Sequence, residues 1–248
     1  MIERLAELAR SCERGIVFTV VEGDGAGGKL LVLEGGEHVG DGVPEEAVGQ
    51  FDELIRRGRN RLLELADGSK VFAEWYGPPP RLFVYGAVDT AEALGRAAKL
   101  LGWTVIVADA RGKFATRERI PSADELIVEW PEEALAQVAP DHQTAVVVLT
   151  HDDKFDEPAL KSALETEAFY IGALGSRRNQ ERRRERLLEA GVSEADLDRI
   201  SGPCGLDIGA DTQEETALSI LAEILAVRAD REGGKLKTAK QRIHASVD

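Results

Sequence analysis

The spacing of apolar and polar positions divides the chain into two regions of different rhythm. In the first 77 residues, Leu5, Leu8 and Cys12 follow helical spacing, and strand-like runs at 16–21 and 30–33 flank a glycine-rich turn. A helical pattern over 44–57 and a strand pattern over 71–75 follow. This arrangement predicts a small N-terminal α+β domain.

From residue 81 onward, short apolar runs alternate with helical patterns. Strands are predicted at 81–85, 103–108, 125–128, 144–149 and 169–171, with helices at 90–101, 132–138, 157–164 and 176–190. A last helix over 213–229 begins at Thr212-x-x-Glu215, the pattern of a capping box. The alternation predicts α/β architecture, a Rossmann-like doubly wound parallel sheet of strand order 3-2-1-4-5.

The sequence Gly77-Pro78-Pro79-Pro80 separates the two rhythms, and consecutive prolines stiffen the backbone. We therefore expect a small N-terminal α+β domain at 1–77, a proline linker at 78–80, a Rossmann-like domain at 81–229 and a polar C-terminal tail at 230–248.

Charge and composition narrow the classes of partner. The formal net charge of −14 repels phosphate backbones, so nucleic acid is not an expected partner and any anionic ligand needs a local site. No apolar run approaches the ~20 residues that span a bilayer, and the N-terminus lacks the pattern of a signal peptide. The two cysteines, Cys12 and Cys204, form neither a disulfide framework nor a zinc site. We expect a cytoplasmic protein with no membrane partner and no metal ligands.

In the predicted strand order, the loops after the first, fourth and fifth strands meet at the carboxyl edge of the sheet, where ligands bind. The first loop reads Gly86-Ala87-Val88-Asp89, and Val88 stands where a dinucleotide fingerprint needs its second glycine. Asp109 ends the second strand and Arg111 follows it. Such an acid either bonds a ribose or caps its own loop, and both alternatives stay open.

Polar clusters follow the fourth and fifth strands. Thr150, His151 and Asp152 come directly after a buried run, where chemistry or ligand contact is expected. The next turn is an anion signal, because glycines free the backbone, a serine can cap the following helix and two arginines add positive charge. Its residues are Gly172, Gly175, Ser176, Arg177 and Arg178. The alternative is a capped helix with solvated arginines, and the run QERRRERL that follows indicates a solvent-facing or partner-facing surface.

A third loop, which contains Cys204, Gly205 and Asp207, precedes the last helix. Cys204 is either a small buried residue or a reactive thiol near the site. Neither alternative makes it a catalytic residue on sequence evidence, and the sequence assigns no catalytic residue elsewhere.

Four stretches resemble the XdhC/CoxI family of accessory factors for xanthine dehydrogenase and carbon monoxide dehydrogenase. They read DARGKFATRERIPSADE, VVVLTHDDKFDEPAL, YIGALGSRR and GLDIGADTQEETALSILAEI, and the closing RIHA is also similar. The resemblance covers residues 81–229 and implies an N-terminal domain followed by a Rossmann domain. It implies a chaperone or insertase that binds the molybdenum cofactor (molybdopterin) as cargo and has no turnover of its own.

The resemblance also implies site residues and partners. On this resemblance, the cofactor pocket would include residues of the loop after the fourth strand, of the turn after the fifth strand and of the loop before the last helix: Thr150, His151, Asp152, Gly172, Gly175, Ser176, Arg177, Arg178, Cys204, Gly205 and Asp207. The implied partners are the apo-form of a molybdenum hydroxylase of the xanthine dehydrogenase type and, less directly, a cysteine desulfurase and a second copy of the chain.

The sequence departs from the family pattern in three places. The first turn usually reads Gly-Ala-Gly-His, and a Ser-Ala-Pro-Arg-like segment is missing between Val21 and Lys29. The region at 40–45 lacks the cysteine of a Gly-Gly-Cys-Leu-Glu segment.

Two other functions compete with the chaperone interpretation. An NAD(P)-dependent oxidoreductase is suggested by the Rossmann topology and Asp109, and Val88 argues against it. The other alternative is a module of the same family that has no ligand and docks a partner through its acidic surface and its arginine-rich helix. The fold by itself does not select among these functions.

Overall fold

The computed structural model describes residues 1–150 and 152–240. His151 and the RIHA segment at 242–245 therefore lie outside the described residues. The chain divides into two compact units, one made of Met1–Pro78 with the described residues from Lys235, and the other of Pro79–Gly234. In the described residues, no helix is long and apolar enough to cross a membrane.

The first unit is an antiparallel sheet with helices. Its strands are β1 (Gly15–Glu22), β2 (Lys29–Leu33), β3 (His38–Asp41), β4 (Arg61–Glu64) and β5 (Lys70–Tyr76), in the order β3-β2-β1-β5-β4. The helices are α1 (Ile2–Leu8), α2 (Glu45–Val48) and α3 (Phe51–Arg57), and a short 3-10 helix covers Leu236–Thr238.

Alternation along β1 buries both faces of this sheet. Ile16 and Phe18 pack in a cluster with Leu54 of α3, whereas Val17 packs in another cluster with Leu8 of α1. The predicted strands at 16–21, 30–33 and 71–75 are confirmed as β1, β2 and β5. The single helix predicted over 44–57 is wrong, because the chain leaves the helix at Gly49 and restarts after Gln50.

The second unit is built on a parallel sheet of order β11-β10-β9-β6-β7-β8. The strands are β6 (Arg81–Tyr85), β7 (Thr104–Ala108), β8 (Glu125–Ile127), β9 (Thr144–Val148), β10 (Tyr170–Ala173) and β11 (Ile200–Ser201). The helices are α4 (Asp89–Leu100), α5 (Pro131–Val138), α6 (Asp153–Leu164), α7 (Arg177–Glu189), α8 (Glu194–Leu197) and α9 (Gln213–Arg228). The predicted order of five strands is confirmed, and β11 adds a sixth.

The sheet is covered on both faces, as a doubly wound fold requires. In β6, Leu82 and Val84 pack in a cluster with residues of α4 and α9, whereas Phe83 and Tyr85 pack in a cluster with residues of α5 and α6. The capping box of the last helix is confirmed, because Thr212 and Glu215 bond each other's backbone.

The strand order reverses between β6 and β9, whose last residues Tyr85 and Val148 are partners in register. The helix after β6 packs on one face of the sheet and the helix after β9 packs on the other. The two chain segments therefore leave the carboxyl edge toward opposite faces of the sheet, and this edge is the position that the sequence predicts for ligand contacts.

Candidate functional site

The turns after β6 and β9 are in close contact. Gly86 has φ +112°, and a Cβ placed there would lie 2.9 Å from Cγ2 of Thr150 and 3.1 Å from its backbone N. Both the backbone angle and the crowding favour glycine here. The two loops thus meet as the sequence predicts.

Asp109, which directly follows β7, is 1% exposed, and its carboxylate is hydrogen-bonded to neighbouring groups of the protein. Its carboxylate accepts hydrogen bonds from the N–H of Ala87 at 3.0 Å, and from the N–H, Nε and Nη2 of Arg111 at 2.9 Å each. A carboxylate has about four acceptor positions, so these four bonds fill it. The structure thus shows Asp109 as a cap for its loops, with no acceptor left over for a ribose.

Burial by itself would raise the pKa of Asp109. The side-chain bonds from Arg111, followed by the backbone bonds from Arg111 and Ala87, outweigh that effect, and the pKa lies below its usual range. The carboxylate is therefore ionised at neutral pH and holds the turn after β6 against the turn after β7.

Arg111 also lies between aromatic rings. Its guanidinium carbon is 4.4 Å from the ring centre of Phe114 and 5.5 Å from that of Phe155. Beside it, Nζ of Lys154 is 4.6 Å from the ring centre of Trp130. These contacts are within cation–π distance and give the carboxyl edge a surface of alternating cations and rings.

A buried network of polar side chains links the turn after β9 to α6 and α7, and sequence reasoning missed two of its three members. The hydroxyl of Thr150 donates to Asp156, and Nη2 of Arg183 donates to Asp156 at 2.7 Å and to the carbonyl of Leu174 at 3.1 Å. Thr150, Asp156 and Arg183 are 3%, 2% and 5% exposed. These hydrogen bonds connect the start of α6 to α7 beneath the carboxyl edge.

A weak sequence signal marks these two residues. Asp156 lies at helical spacing with Ala159, Leu160 and Ala163, which are buried, and Arg183 precedes the buried Leu187 by one turn. The interpretation of QERRRERL as a solvent-facing or partner-facing surface is wrong for Arg183, which packing against α6 buries.

The turn between β10 and α7 differs in part from the prediction. Gly172 does not belong to the turn, because β10 continues to Ala173 and Gly172 pairs with Val147 and Ser201. Its missing side chain leaves room for the ring of Tyr170, which a Cβ would approach to 2.6 Å.

The turn itself is made by Gly175 and Ser176. Gly175 has φ +146°, and Ser176 caps α7 by accepting from the N–H of Asn179 at 3.2 Å. Arg177 and Arg178 are exposed. The anion-binding elements that the sequence predicts here are therefore reduced to this turn and the first residues of α7.

Two cavities lie against α7. The larger, of about 330 Å³, is lined by Arg177, Gln180, Glu181, Arg183, Arg184, Leu187, Leu197, Ile200, Gly202 and Pro203. The smaller, of about 210 Å³, is lined by Asp153, Asp156, Asn179, Arg182, Arg183 and Arg186. Arg177, a predicted site residue, thus lines the larger cavity. Asp152 directly precedes Asp153 of the smaller cavity and caps α6, because its side chain accepts from the N–H of Lys154 at 3.1 Å.

The loop between β11 and α9 lies beside the end of β10, since the N–H of Cys204 donates to the carbonyl of Ala173 at 3.0 Å. Burial, followed by the nearby charge of Glu223, raises the pKa of the Cys204 thiol to about 12. The N–H of Gly205 donates to Glu223 at 2.8 Å, whereas Asp207 is exposed. Cys204 is placed as a buried packing residue, and the reactive-thiol alternative finds no support in this environment.

The carboxyl edge of the sheet therefore brings together Gly86, Asp109, Arg111 and Thr150. Gly175 and Ser176 follow β10, and Cys204, which follows β11, is bonded to the last residue of β10. Within the part of the chain that the structure describes, no group of three His, Cys, Asp or Glu side chains could hold a metal ion.

Comparison with known proteins identifies a family model, curated sequences and a solved structure that are similar to this chain. A family model for the XdhC Rossmann domain matches residues 82–224. The chain is 31% identical over 222 residues to the protein YqeB of Escherichia coli K12, covering 84% of this chain and 40% of that protein. It is 34% identical over 160 residues to a probable xanthine dehydrogenase subunit of Bacillus subtilis 168, covering 64% and 46%.

A third relative is the molybdenum cofactor insertion chaperone PaoD of Escherichia coli K12, which is 32% identical over 161 residues, covering 65% of this chain and 44% of that protein. The chain thus spans less than half the length of these curated relatives. A crystal structure described as a xanthine dehydrogenase from Bacillus halodurans superposes with a TM-score of 0.69 at 26% identity, covering 93% of this chain and 67% of that one.

Proposed function

This chain belongs to the XdhC family, and from that premise we propose that it binds the molybdenum cofactor and helps to insert it into an apo-enzyme of the molybdenum hydroxylase class. It acts in this proposal as a chaperone that carries the cofactor as cargo, without turnover of its own. The apo-form of the hydroxylase is the proposed partner, and a cysteine desulfurase and a second copy of the chain are further partners that the family resemblance implies.

The observation that carries the proposal is the similarity to a molybdenum cofactor insertion chaperone, at 32% identity over 65% of this chain. The family match at 82–224 contains each strand end and loop of the candidate site before α9, together with most of α9 itself. The proposal therefore concerns the Pro79–Gly234 unit first.

The residues at the start of α7 fit a ligand that carries one phosphate. The first N–H groups of a helix lack intrahelical partners and carry partial positive charge, which attracts an anion. Ser176 and Arg177 stand at this end of α7, and Arg177 lines the larger cavity. That cavity, about 330 Å³, lies within the range of small-molecule sites, and its lining includes Leu187 and Ile200.

The cofactor brings the dithiolene sulfurs that hold its metal, so the chain has to bind and orient the pterin and its phosphate. In the proposal the α7 turn binds the phosphate, while Thr150, Asp152 and the loop of Cys204 and Gly205 border the pterin. The nicotinamide alternative is not proposed, because the N–H of Ala87 in the first turn is already bonded to Asp109 and Val88 occupies the position of the second glycine.

The experiment separates two neighbouring arginines of α7. Arg177 lines the larger cavity, whereas Arg178 lines neither of the two cavities described. A charge-assisted hydrogen bond contributes roughly 1.5–3 kcal/mol, so Arg177→Ala should weaken cofactor binding about tenfold to a hundredfold. Arg178→Ala is the matched control and should bind as the parent does.

Binding is measured through the fluorescence of the oxidised pterin and the molybdenum content of the same fraction. If both variants retain the cofactor as the parent does, the phosphate site is wrongly placed. If the parent itself acquires no cofactor from a source that loads a known chaperone, the proposed function is wrong.

A further inference from the structure

The last helix of the parallel-sheet unit, α9, is apolar on the side that faces away from the sheet. The stretch 217–227 contains only two polar residues, and both are bonded to the loop before the helix. Ser219 donates to the carbonyl of Leu206 at 2.6 Å, and Glu223 accepts from the N–H of Gly205 at 2.8 Å. Within this fully described stretch, no polar side chain is left to cover the outer side of the helix.

The outer side of α9 instead carries a regular row of apolar residues, which we call the α9 stripe. Steps of four, three and four residues place its members on one line along the helix, the spacing of a coiled-coil seam. The members are Leu218, which is 55% exposed, and the partly exposed Ala222, Leu225 and Ala229. A continuous exposed apolar row of this kind marks an interaction surface.

The neighbouring helix shows what a solvent-facing side looks like in the same unit. α4 packs in the same apolar cluster as α9. Its outer side carries charge, since the side chains of Arg96 and Lys99 are 60% and 42% exposed. The α9 stripe therefore differs from the ordinary outer face of a helix in this fold.

The order of large and small residues makes the α9 stripe complementary to itself. Consider an antiparallel pair of α9 helices, related by a two-fold axis midway between positions 222 and 225. Leu218 then faces Ala229 of the partner subunit, and Leu225 faces Ala222 of the partner subunit. Each leucine meets an alanine, which lets the two faces interdigitate. In a parallel pair each leucine would meet a leucine and leave the alanines apart.

The charges at the ends of α9 favour the same arrangement. The first turn carries Glu214 and Glu215, and the last turn carries Arg228. An antiparallel pair brings the acidic first turn of each helix toward the basic last turn of the other. A parallel pair would bring like charges together at both ends, and charge complementarity of this kind sets the orientation of an interface.

We propose that the α9 stripe is the contact surface for a second copy of this chain, which binds through the same stripe in an antiparallel, two-fold symmetric pair. The four residues extend over three turns of helix, about 16 Å at 1.5 Å per residue. The pairing does not require the proposed cofactor function, because its residues lie outside the turns that would bind the cofactor.

Sedimentation velocity of the full chain, without cofactor and over a range of protein concentrations, measures the pairing. The parent should dimerise. Leu218→Arg should raise the dimer dissociation constant about a hundredfold or more, because a symmetric pair loses two buried leucines. Leu100→Arg is the matched control and should dimerise as the parent does, since Leu100 is 87% exposed and lies on α4. Circular dichroism checks that both variants are folded.

Disulfide cross-linking tests the orientation of the two helices. The background is Cys12→Ser, because Cys12 is exposed whereas Cys204 is buried. A mixture of Ala222→Cys chains with Leu225→Cys chains should form linked dimers faster than either variant does by itself. Faster linking within Ala222→Cys alone would mean a parallel or shifted pair and would contradict the proposed arrangement.

Three further results would overturn the proposal. One is a parent chain that stays monomeric at every concentration, and another is a dimer that Leu218→Arg leaves unchanged. The third concerns a different occupant: if a monomeric parent binds the apo-form of a molybdenum hydroxylase and Leu218→Arg weakens that complex, the α9 stripe serves another protein and not a second copy.

Discussion

At the scale of single residues, Asp109 joins two loops through a carboxylate that solvent hardly reaches. Its depressed pKa means that the folded chain stabilises the ionised form. A group of this kind adds stability above its unfolded pKa, ~3.9 for aspartate, and the contribution is lost as the pH falls through the folded pKa. The loops after β6 and β7 should therefore loosen in acid before the sheet does.

Replacing Asp109 by Asn tests this linkage. At pH 7 the substitution should lower the free energy of unfolding by roughly 1–3 kcal/mol, because charge-assisted bonds to Ala87 and Arg111 are lost. The difference from the parent should shrink as the pH falls below ~3.9. Urea denaturation across that pH range measures it. Asp207→Asn, at an exposed aspartate, serves as the control, and a difference that stays constant with pH would rule out the linkage.

The residue scale is also where sequence reasoning reaches its limit. Asp109, Thr150 and Ser176 can be found because each stands at the end of a strand or the start of a helix, positions that the apolar pattern reveals. Arg183 cannot, because it stands in a run of arginines. Which of these arginines is buried depends on the rotation of α7 against α6, and packing decides that rotation.

At the scale of elements, the buried parallel strands are the easiest to predict, since strands covered on both faces are continuous apolar runs. β9, for example, is buried at every position. The strands that the sequence pattern misses are mixed or short: β3 reads HVGD, β4 reads RLLE and β11 has two residues. Their pairing is fixed by neighbouring strands, which a local pattern does not show.

The junction between the turn after β6 and the turn after β9 depends on Gly86. Gly86→Ala adds a methyl group 2.9 Å from Cγ2 of Thr150 at φ +112°. Gly102 provides the matched control, because its φ is +73° and nothing lies within 4 Å of a Cβ there. The backbone cost is of order 1–3 kcal/mol at both positions, and crowding adds roughly 1–3 kcal/mol at Gly86 only.

We therefore expect Gly86→Ala to lower the free energy of unfolding by more than Gly102→Ala does. Chemical denaturation of both variants measures the difference. Equal losses would mean that the two loops shift apart without cost and that their contact is not a rigid feature of the site.

At the scale of the whole molecule, the division at 78–80 stays a prediction of the sequence that can be tested directly. The Pro79–Gly234 unit contains both apolar clusters that cover its sheet. A chain of residues 79–234 should therefore fold by itself and unfold in one cooperative transition. Circular dichroism during urea denaturation measures this.

A shorter chain of residues 79–212 is the control, because it lacks α9, whose Ile220 and Ile224 pack in the cluster with Leu94 of α4. It should fail to fold cooperatively. If residues 79–234 also show a broad, probe-dependent transition, the two parts of the chain depend on each other for stability.

The strands at the borders of the two sheets have a consequence for how copies of this protein behave when concentrated. The parallel sheet ends in β11 and β8, of two and three residues, and the antiparallel sheet ends in β3 and β4, of four residues each. β1, the longest strand at eight residues, is central. An exposed strand edge is a template on which another chain can add a strand and begin to aggregate. Short borders leave little such template, so the native fold itself protects against intermolecular β-sheet growth.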